Sequence, residues 1–230
     1  MNINSFVGKG PRDVWKFLTD SMFEDSRRAV FDALSRTMLD AGVGLLIGWV
    51  LAIGLACLFV LSPAIERVVM PVALAFRSVP ILAVLPLLTL IFGRDLLGTV
   101  VIVLIIVFFP TLVLVLQALR SVPADLVAVA HVYNATPVTL LRKVRVPLAL
   151  PSIFASLRIA APAAVLGALL AEWLATGKGM GYLMLSATTK SEYAQLWAAT
   201  VVMTTVAVLI YTVVDALERA VIGRFGPPAR

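Results

Sequence analysis

The 230-residue chain has little of what side-chain chemistry usually requires: one cysteine, one histidine, and charges at only 14% of its positions. A lone cysteine, Cys57, excludes an intrachain disulfide, and its place inside a long apolar run makes it a packing residue rather than a redox one. With His131 the sole histidine, no His/Cys set is available to hold a metal. The long apolar runs contain no histidine and the acids are scattered over the connections. Neither a Ser/His/Asp or Cys/His set nor a carboxylate pair for acid–base work is evident, and the sequence points away from catalysis.

What fills the chain instead is oil. Hydrophobic residues make up 61% of it and the mean hydropathy is +1.01, outside the range of soluble domains. A bilayer crossing needs about 20 mostly apolar residues. Three uncharged runs meet that length: Ala41 to Ile65, Leu96 to Leu119 and Tyr193 to Val214. Two more are apolar but interrupted, Ser78 to Gly93 by Pro80 and Pro86, and Val146 to Gly177 by Arg158 and Glu172. The expected fold is all-α and polytopic, with about five membrane helices between residues 37 and 225, preceded by an amino-terminal segment, residues 1–36. That segment mixes Lys9, Arg12, Lys16, Arg27 and Arg28 with Asp13, Asp20, Glu24 and Asp25, so it lacks the apolar core of a cleavable signal and is expected to be retained.

The net charge of +6 is read as membrane orientation rather than nucleic-acid binding. Arg67 and Arg77, then Arg120, Arg142, Lys143 and Arg145, then Arg219, Arg224 and Arg230 lie on one set of connections and are expected to face the cytoplasm. The opposite connections carry Arg94 with Asp95, and Lys178 and Lys190 with Glu192. Five crossings with the carboxyl end inside put the amino end outside, where six basic residues are nearly balanced by five acids.

Several local patterns bear on packing. Residues 11–22 place Val14, Trp15, Phe17 and Leu18 on one side of a short amphipathic helix suited to the membrane interface. Gly44, Gly48, Ala52 and Ala56 form a small-residue stripe that predicts a close helix contact. Ala160, Ala164 and Ala168 form another, with Glu172 in line, where a carboxylate near lipid is expensive. Glu172 either lines a path or holds the outer loop, or else is an interfacial acid paired with Lys178 or a backbone amide; Trp173 beside it suits an interface anchor. The following stretch TGKGMGYL (residues 176–183) is not a phosphate loop, because Lys178 is followed by glycine after a membrane helix. Its alternating glycines suit a tight, irregular outer connection. No nucleotide is expected to bind here.

The most polar insert runs from Ser121 to Pro151, SVPADLVAVAHVYNATPVTLLRKVRVPLALP. Pro123 and Asp125 suit the start of a helix through His131. Asn134 tolerates a left-handed turn, Thr136 suits an N-cap and Pro137 a first helical position, with the second helix expected to stop at Pro147. The product is two short helices bent over a turn on the cytoplasmic side, with Arg142, Lys143 and Arg145 near anionic lipid headgroups. Leu126, Val127, Val129 and Tyr133 offer an apolar surface that calls for a partner protein.

This spacing resembles the cytoplasmic loop of type I ATP-binding-cassette (ABC) importer permeases: E-A-A, three residues, glycine, nine residues, then I-x-L-P. Ala128, Val129 and Ala130 stand at the first triplet, Asn134 at the glycine, and Val144, Arg145, Val146 and Pro147 at the last four. FRSVPILAVLPLLTLIFG (76–93), LPSIFASLRIA (150–160) and AEWLATGKGMGYL (171–183) are similar to segments of the branch that imports nitrate, bicarbonate, taurine, aliphatic sulfonates and pyrimidine precursors. The acid of the triplet and the glycine of the turn are replaced here.

The resemblance implies a permease subunit of the bacterial inner membrane, working by alternating access with a second permease subunit, identical or different. It further implies a periplasmic substrate-binding protein and separate ABC ATPase subunits that hold ATP and Mg, with no cofactor on this chain. The ATPase-coupling residues it implies lie within 121–147: Leu126, Val127, Ala128, Val129, Ala130, Tyr133, Asn134, Ala135, Val144, Val146 and Pro147. Thr89, Glu172, Thr200 and Thr204, with Thr205 nearby, are candidates to line a path, although membrane threonines often bond their own backbone. The rival expectations are a scaffold subunit that binds an ATPase without forming a path, and an ion-coupled carrier, for which intramembrane charges are few.

Overall fold

The computed structural model describes residues 8–225, and every regular element among them is helical. In lipid a helix satisfies its own backbone within one segment, which an open strand does not. In chain order the helices are α1 (Pro11–Thr19), α2 (Glu24–Leu61), α3 (Pro63–Arg77), α4 (Ile81–Phe92), α5 (Leu96–Arg120), α6 (Ala124–Val132), α7 (Pro137–Leu140), α8 (Val146–Ala171), α9 (Gly179–Thr189) and α10 (Tyr193–Phe225). Four stretches are long and apolar enough to cross a membrane: Ser21–Leu61, Leu96–Arg120, Pro137–Thr176 and Tyr193–Val221; α4 is a shorter apolar helix. The five apolar segments read from the sequence are therefore present as helices, four at full length.

Three features differ from expectation. α2 begins at Glu24, well before Ala41. At a rise of about 1.5 Å per residue it is about 57 Å long against a hydrocarbon core of about 30 Å, so its charged amino-terminal half extends beyond the lipid. The boundary expected after residue 36 consequently falls inside one continuous helix. Second, the connection from Ser62 to Ser78 is helix α3, opened by Pro63 and turned inward through Ala73, Val69 and Met70. Its charges read as a loop and masked its helical period. Third, α1 buries Val14 and Phe17 but leaves Trp15 70% exposed. At 100° per residue, positions 14 and 17 share a face that 15 leaves, so Trp15 points outward.

The chain divides into two compact units. The first comprises Met1–Gly44, Val84–Val103 and Ala164–Ile210, the second Leu45–Ala83, Leu104–Ala163 and Tyr211–Arg230. The charges of the later connections divide with these units, while the amino-terminal Lys9, Arg12, Lys16, Arg27, Arg28 and Arg36 all fall in the first. Arg67, Arg120, Arg142, Lys143, Arg145 and Arg219 belong to the second unit, whereas Arg94, Asp95, Lys178, Lys190 and Glu192 belong to the first. The side chains of Arg77 and Arg224, and all of Arg230, lie outside the described residues, as do residues 1–7. Within the first unit, Lys9, Phe17 and Phe23 share a cavity of about 310 Å³ with Ser191 to Gln195. Helix α1 therefore lies beside the Ser191 to Gln195 connection, on the set of connections expected to face outward.

Within the first unit Gly44 lies against Val103 and the Val100 carbonyl: a Cβ there would come within 2.6 Å of Val103. Within the second, Gly48 lies against the Leu104 backbone, with room for a Cβ no closer than 3.2 Å. Below it Ala52, Ala56 and Phe59 pack with Leu112, Val115, Leu116 and Leu119 of α5 and Ala149 and Ile153 of α8. The small-residue stripe thus serves a contact inside the chain, against α5. Trp49 Nε1 donates to Ser156 Oγ at 3.1 Å. Arg158 is held by Asp215 at 3.0 Å and Glu218 at 3.3 Å, and Arg219 also pairs with Asp215. Asp215 and Glu218, three apart on one face of α10, are thus what lets Arg158 lie in an apolar helix.

Candidate docking segment and a buried carboxylate

The segment from Ser121 to Pro147 is built from local signals. Asp125 occupies the first turn of α6 and α6 runs to Val132. Asn134 then adopts φ +52°, a left-handed conformation that asparagine tolerates better than most residues. Thr136 accepts from the Thr139 amide at 3.2 Å, and Pro137 opens α7. All this agrees with the sequence reading. The end does not. The second helix fails to stop at Pro147; it passes through a π turn, Leu141–Arg145, into α8. There the Val146 amide donates to the carbonyl of Leu141, five residues back. This wider winding relaxes the i−4 pairing that proline disrupts, so Pro147 sits in the first turn of α8 without breaking the run.

Among the expected coupling residues, Leu126, Ala128, Val129, Tyr133, Asn134 and Pro147 are exposed, and Val127, Ala130, Ala135, Val144 and Val146 are half-buried. Tyr133 is 82% and its neighbour Val132 83% exposed, although neither is polar enough to favour water at that level. Ala130, Tyr133, Asn134, Ala135 and Val144 come together with Thr136, Thr139, Leu140 and Lys143 around a cavity of about 410 Å³. Val146 and Pro147 do not reach it. Leu140 and Leu141, by contrast, are buried and anchor the segment to the second unit's core.

Arg145 does something the sequence did not announce. Instead of standing free for lipid headgroups, its Nη1 donates to the Leu119 carbonyl at 2.9 Å. Arg120 beside it pairs with Glu66 of α3. The only sequence hint was that α5 ends on a Ser-Val-Pro break with carbonyls to satisfy.

In the first unit the centre is Glu172, 1% exposed. A π turn, Glu172–Thr176, closes the helix that carries it, followed by Gly177 at φ +69° and Gly179 at φ +84°. The chain folds back so that the Gly181 amide donates to Glu172 Oε2 at 3.0 Å. Thr37 Oγ1 of α2 lies 2.8 Å from both carboxylate oxygens and accepts from the Met180 amide at 2.9 Å. A Cβ at Gly179 would collide with the Glu172 carboxyl, and one at Gly181 with the Leu169 carbonyl, so both glycines are required by close approach. Lys178 is not the partner of Glu172; it reaches Asp95 at 3.0 Å, and its ammonium holds that carboxyl below the usual range. Glu172 thus meets a backbone amide and the Thr37 hydroxyl rather than Lys178. Thr37 escaped notice, yet Thr37 and Ala41 extend the Gly44, Gly48 stripe toward the amino end at helical spacing.

The threonines expected along a path bond their own helices. Thr89 is buried and donates toward the carbonyls of Leu85 and Pro86 at 3.2 and 3.0 Å. Thr200, Thr204 and Thr205 are exposed on α10 and reach the carbonyls four residues back at 2.8 to 2.9 Å.

A membrane subunit whose described elements are all helical, with four long apolar helices and an exposed apolar elbow, belongs to the class of polytopic transport components. The sequence pattern of the family described as binding-protein-dependent transport system inner membrane component matches residues 44–226, and the chain belongs to that family. It is a permease of the ABC importer type in the bacterial inner membrane. A probable ABC transporter permease protein of Haemophilus influenzae is 33% identical over 79% of this chain and 74% of its own length. The formylaminopyrimidine transport permease protein ThiX of Halalkalibacterium halodurans is 29% identical over 87% of this chain and 78% of its own. In three dimensions the chain is similar to one from the inward-facing MetNI methionine ABC transporter, with a TM-score of 0.70, 21% identity, and coverage of 88% of this chain and 99% of that one. At that identity the likeness speaks for the fold.

Proposed function

We propose that the α6–α7 elbow is the docking element for a separate ABC ATPase, and that the chain pairs with a second permease subunit to form a path for a small solute. The observation that carries this reading is the exposed apolar set Leu126, Val129, Val132 and Tyr133 on α6, backed by the buried Leu140 and Leu141. About 25 cal/mol is gained per Å² of apolar surface removed from water, so such a surface is stable only when something covers it. Ala128, Ala130, Asn134, Ala135 and Val144 complete the contact, with Val127, Val146 and Pro147 at its margins.

ATP and Mg²⁺ are held, and ATP is hydrolysed, by that partner and not by this chain, whose one glycine-rich stretch is committed to Glu172. A periplasmic binding protein delivers the solute to the outer face. The solute is a small anion, a sulfonate or a pyrimidine-like heterocycle, the last supported by the name of the formylaminopyrimidine relative. Thr200 and Thr204, hydroxyl-bearing and exposed on α10, line the path, as does Thr89 of α4.

Vesicles reconstituted with the cognate ATPase and binding protein test this directly. Val129→Asp and Tyr133→Ala are expected to leave the chain folded while ATPase association and uptake fall together. Unchanged association and uptake would remove α6 as the docking element. Stimulated hydrolysis without any uptake by the native complex would make the chain a scaffold instead.

A further inference from the structure

We infer that Arg145 is a positioning residue for coupling, closing the segment between α5 and α8 into a stirrup whose two ends move as one body. This rests on the docking role of α6 proposed above.

The last carbonyls of a helix lack partners within it, and each must find one elsewhere. At the end of α5 the Ser121 amide donates to the Gln117 carbonyl and Ser121 Oγ to the Ala118 carbonyl, both at 3.0 Å. The next carbonyl, Leu119, belongs to a residue with no exposed surface. Its partner comes from 26 residues away, in the guanidinium of Arg145. Arg145 is the last residue of the π turn Leu141–Arg145, a winding that interrupts the regular ladder and recurs where helices change register. Arg120 meanwhile fastens the same end of α5 to Glu66 of α3. One point therefore gathers the end of α5, the start of α8 and, through Arg120, α3.

The mechanical consequence follows from the connections. α6 hangs between two irregular stretches, Ser121–Pro123 and Tyr133–Thr136. If the ends of the stirrup were free, a push on α6 would be absorbed by splaying them. With Leu119 and Arg145 bonded, the same push displaces the ends of two membrane helices together. A rigid-body shift between two packings needs such a joint.

The test uses the complete transporter in vesicles and compares the native chain with Arg145→Met, which has a similar stem and no donor, and Arg145→Lys, which keeps a charged donor. The measured quantity is solute taken up per ATP hydrolysed. Arg145→Met is expected to bind the ATPase and to hydrolyse ATP within about two-fold of native, while uptake per ATP falls about five-fold or more, with Arg145→Lys recovering much of it. A merely structural cap would lower both activities in proportion and leave the ratio unchanged, and that result overturns the proposal. If Arg145→Met does not accumulate, spin labels at the exposed Gln117 and Leu148, in a Cys57→Ala background, report on the native joint. Their separation is expected to stay constant between nucleotide-free and ATP-trapped states, and a change by more than about one helical turn, roughly 5 Å, refutes a fixed joint. Failure of the native chain to bind any ATPase would sink the docking reading itself, which is a distinct outcome.

Discussion

The two π turns among the described residues lie in opposite surroundings. The turn at Glu172–Thr176 leads into a knot in which carboxylate, hydroxyl and two backbone amides are mutually satisfied and a glycine has no room for one more carbon. The turn at Leu141–Arg145 follows an elbow whose large apolar side chains are left to solvent. Both widen a helix to aim something. In the first unit the polar target is inside the chain, although Trp173 and Leu174 of the same turn are exposed; in the second the apolar surface of the elbow has no cover among the described residues. Closed chemistry reads as holding and open chemistry as meeting.

The sharpest way to break this contrast is Gly181→Val. Its side chain meets the Leu169 carbonyl and the Trp173 amide, and loss of folded protein from the membrane is expected, seen as absent monodisperse material after detergent extraction. Glu172→Ala comes next. It leaves the Gly181 amide without its acceptor in a buried site, while the Thr37 hydroxyl keeps the Ala33 carbonyl at 3.0 Å, for an expected loss of about 2 kcal/mol in unfolding free energy, readable as a lowered midpoint of thermal unfolding in detergent. At the elbow, Asn134→Ala is expected to cost about 1 kcal/mol because alanine resists the left-handed conformation, while Asn134→Gly is neutral or stabilising. The same melting experiment ranks them.

The smallest effect belongs to the exposed pair Asp95–Lys178. Since Lys178 depresses the Asp95 carboxyl, the pair favours the folded state above the ordinary carboxylate pKa, about 3.9, and this advantage is lost as pH falls through the depressed value. Lys178→Met is expected to raise the Asp95 titration toward the ordinary range in a carboxyl NMR titration. Its melting curve should match the native one at the acid end and differ little at neutrality, because both groups are exposed.

Much of this was legible from residues alone, and what was legible was local. The left-handed Asn134, the Thr136 cap and the Pro137 helix start depend only on a few neighbours. The small-residue stripe announced a close seam because its spacing is that of one helix face. Charges, however, misled where they were read singly. Arg67 and Arg77 made α3 look like a connection, and the acids of residues 24–40 made half of α2 look like a tail. Arg145 was read for lipid because its partner, a main-chain carbonyl, leaves no mark in a sequence. Pro147 was read as a stop because the π turn that accommodates it is a property of the backbone path.

The sequence by itself determined the solvent, the helical class, the apolar segments and the elbow, since hydropathy and turn preferences act over one segment at a time. Tertiary structure alone decided that Gly44 and Gly48 face α5, that Glu172 is answered by Thr37 and Gly181 rather than Lys178, and that Arg145 closes on Leu119. Those are pairings between residues as many as 135 positions apart, and a buried polar group chooses its partner by who arrives within hydrogen-bond reach when the helices pack.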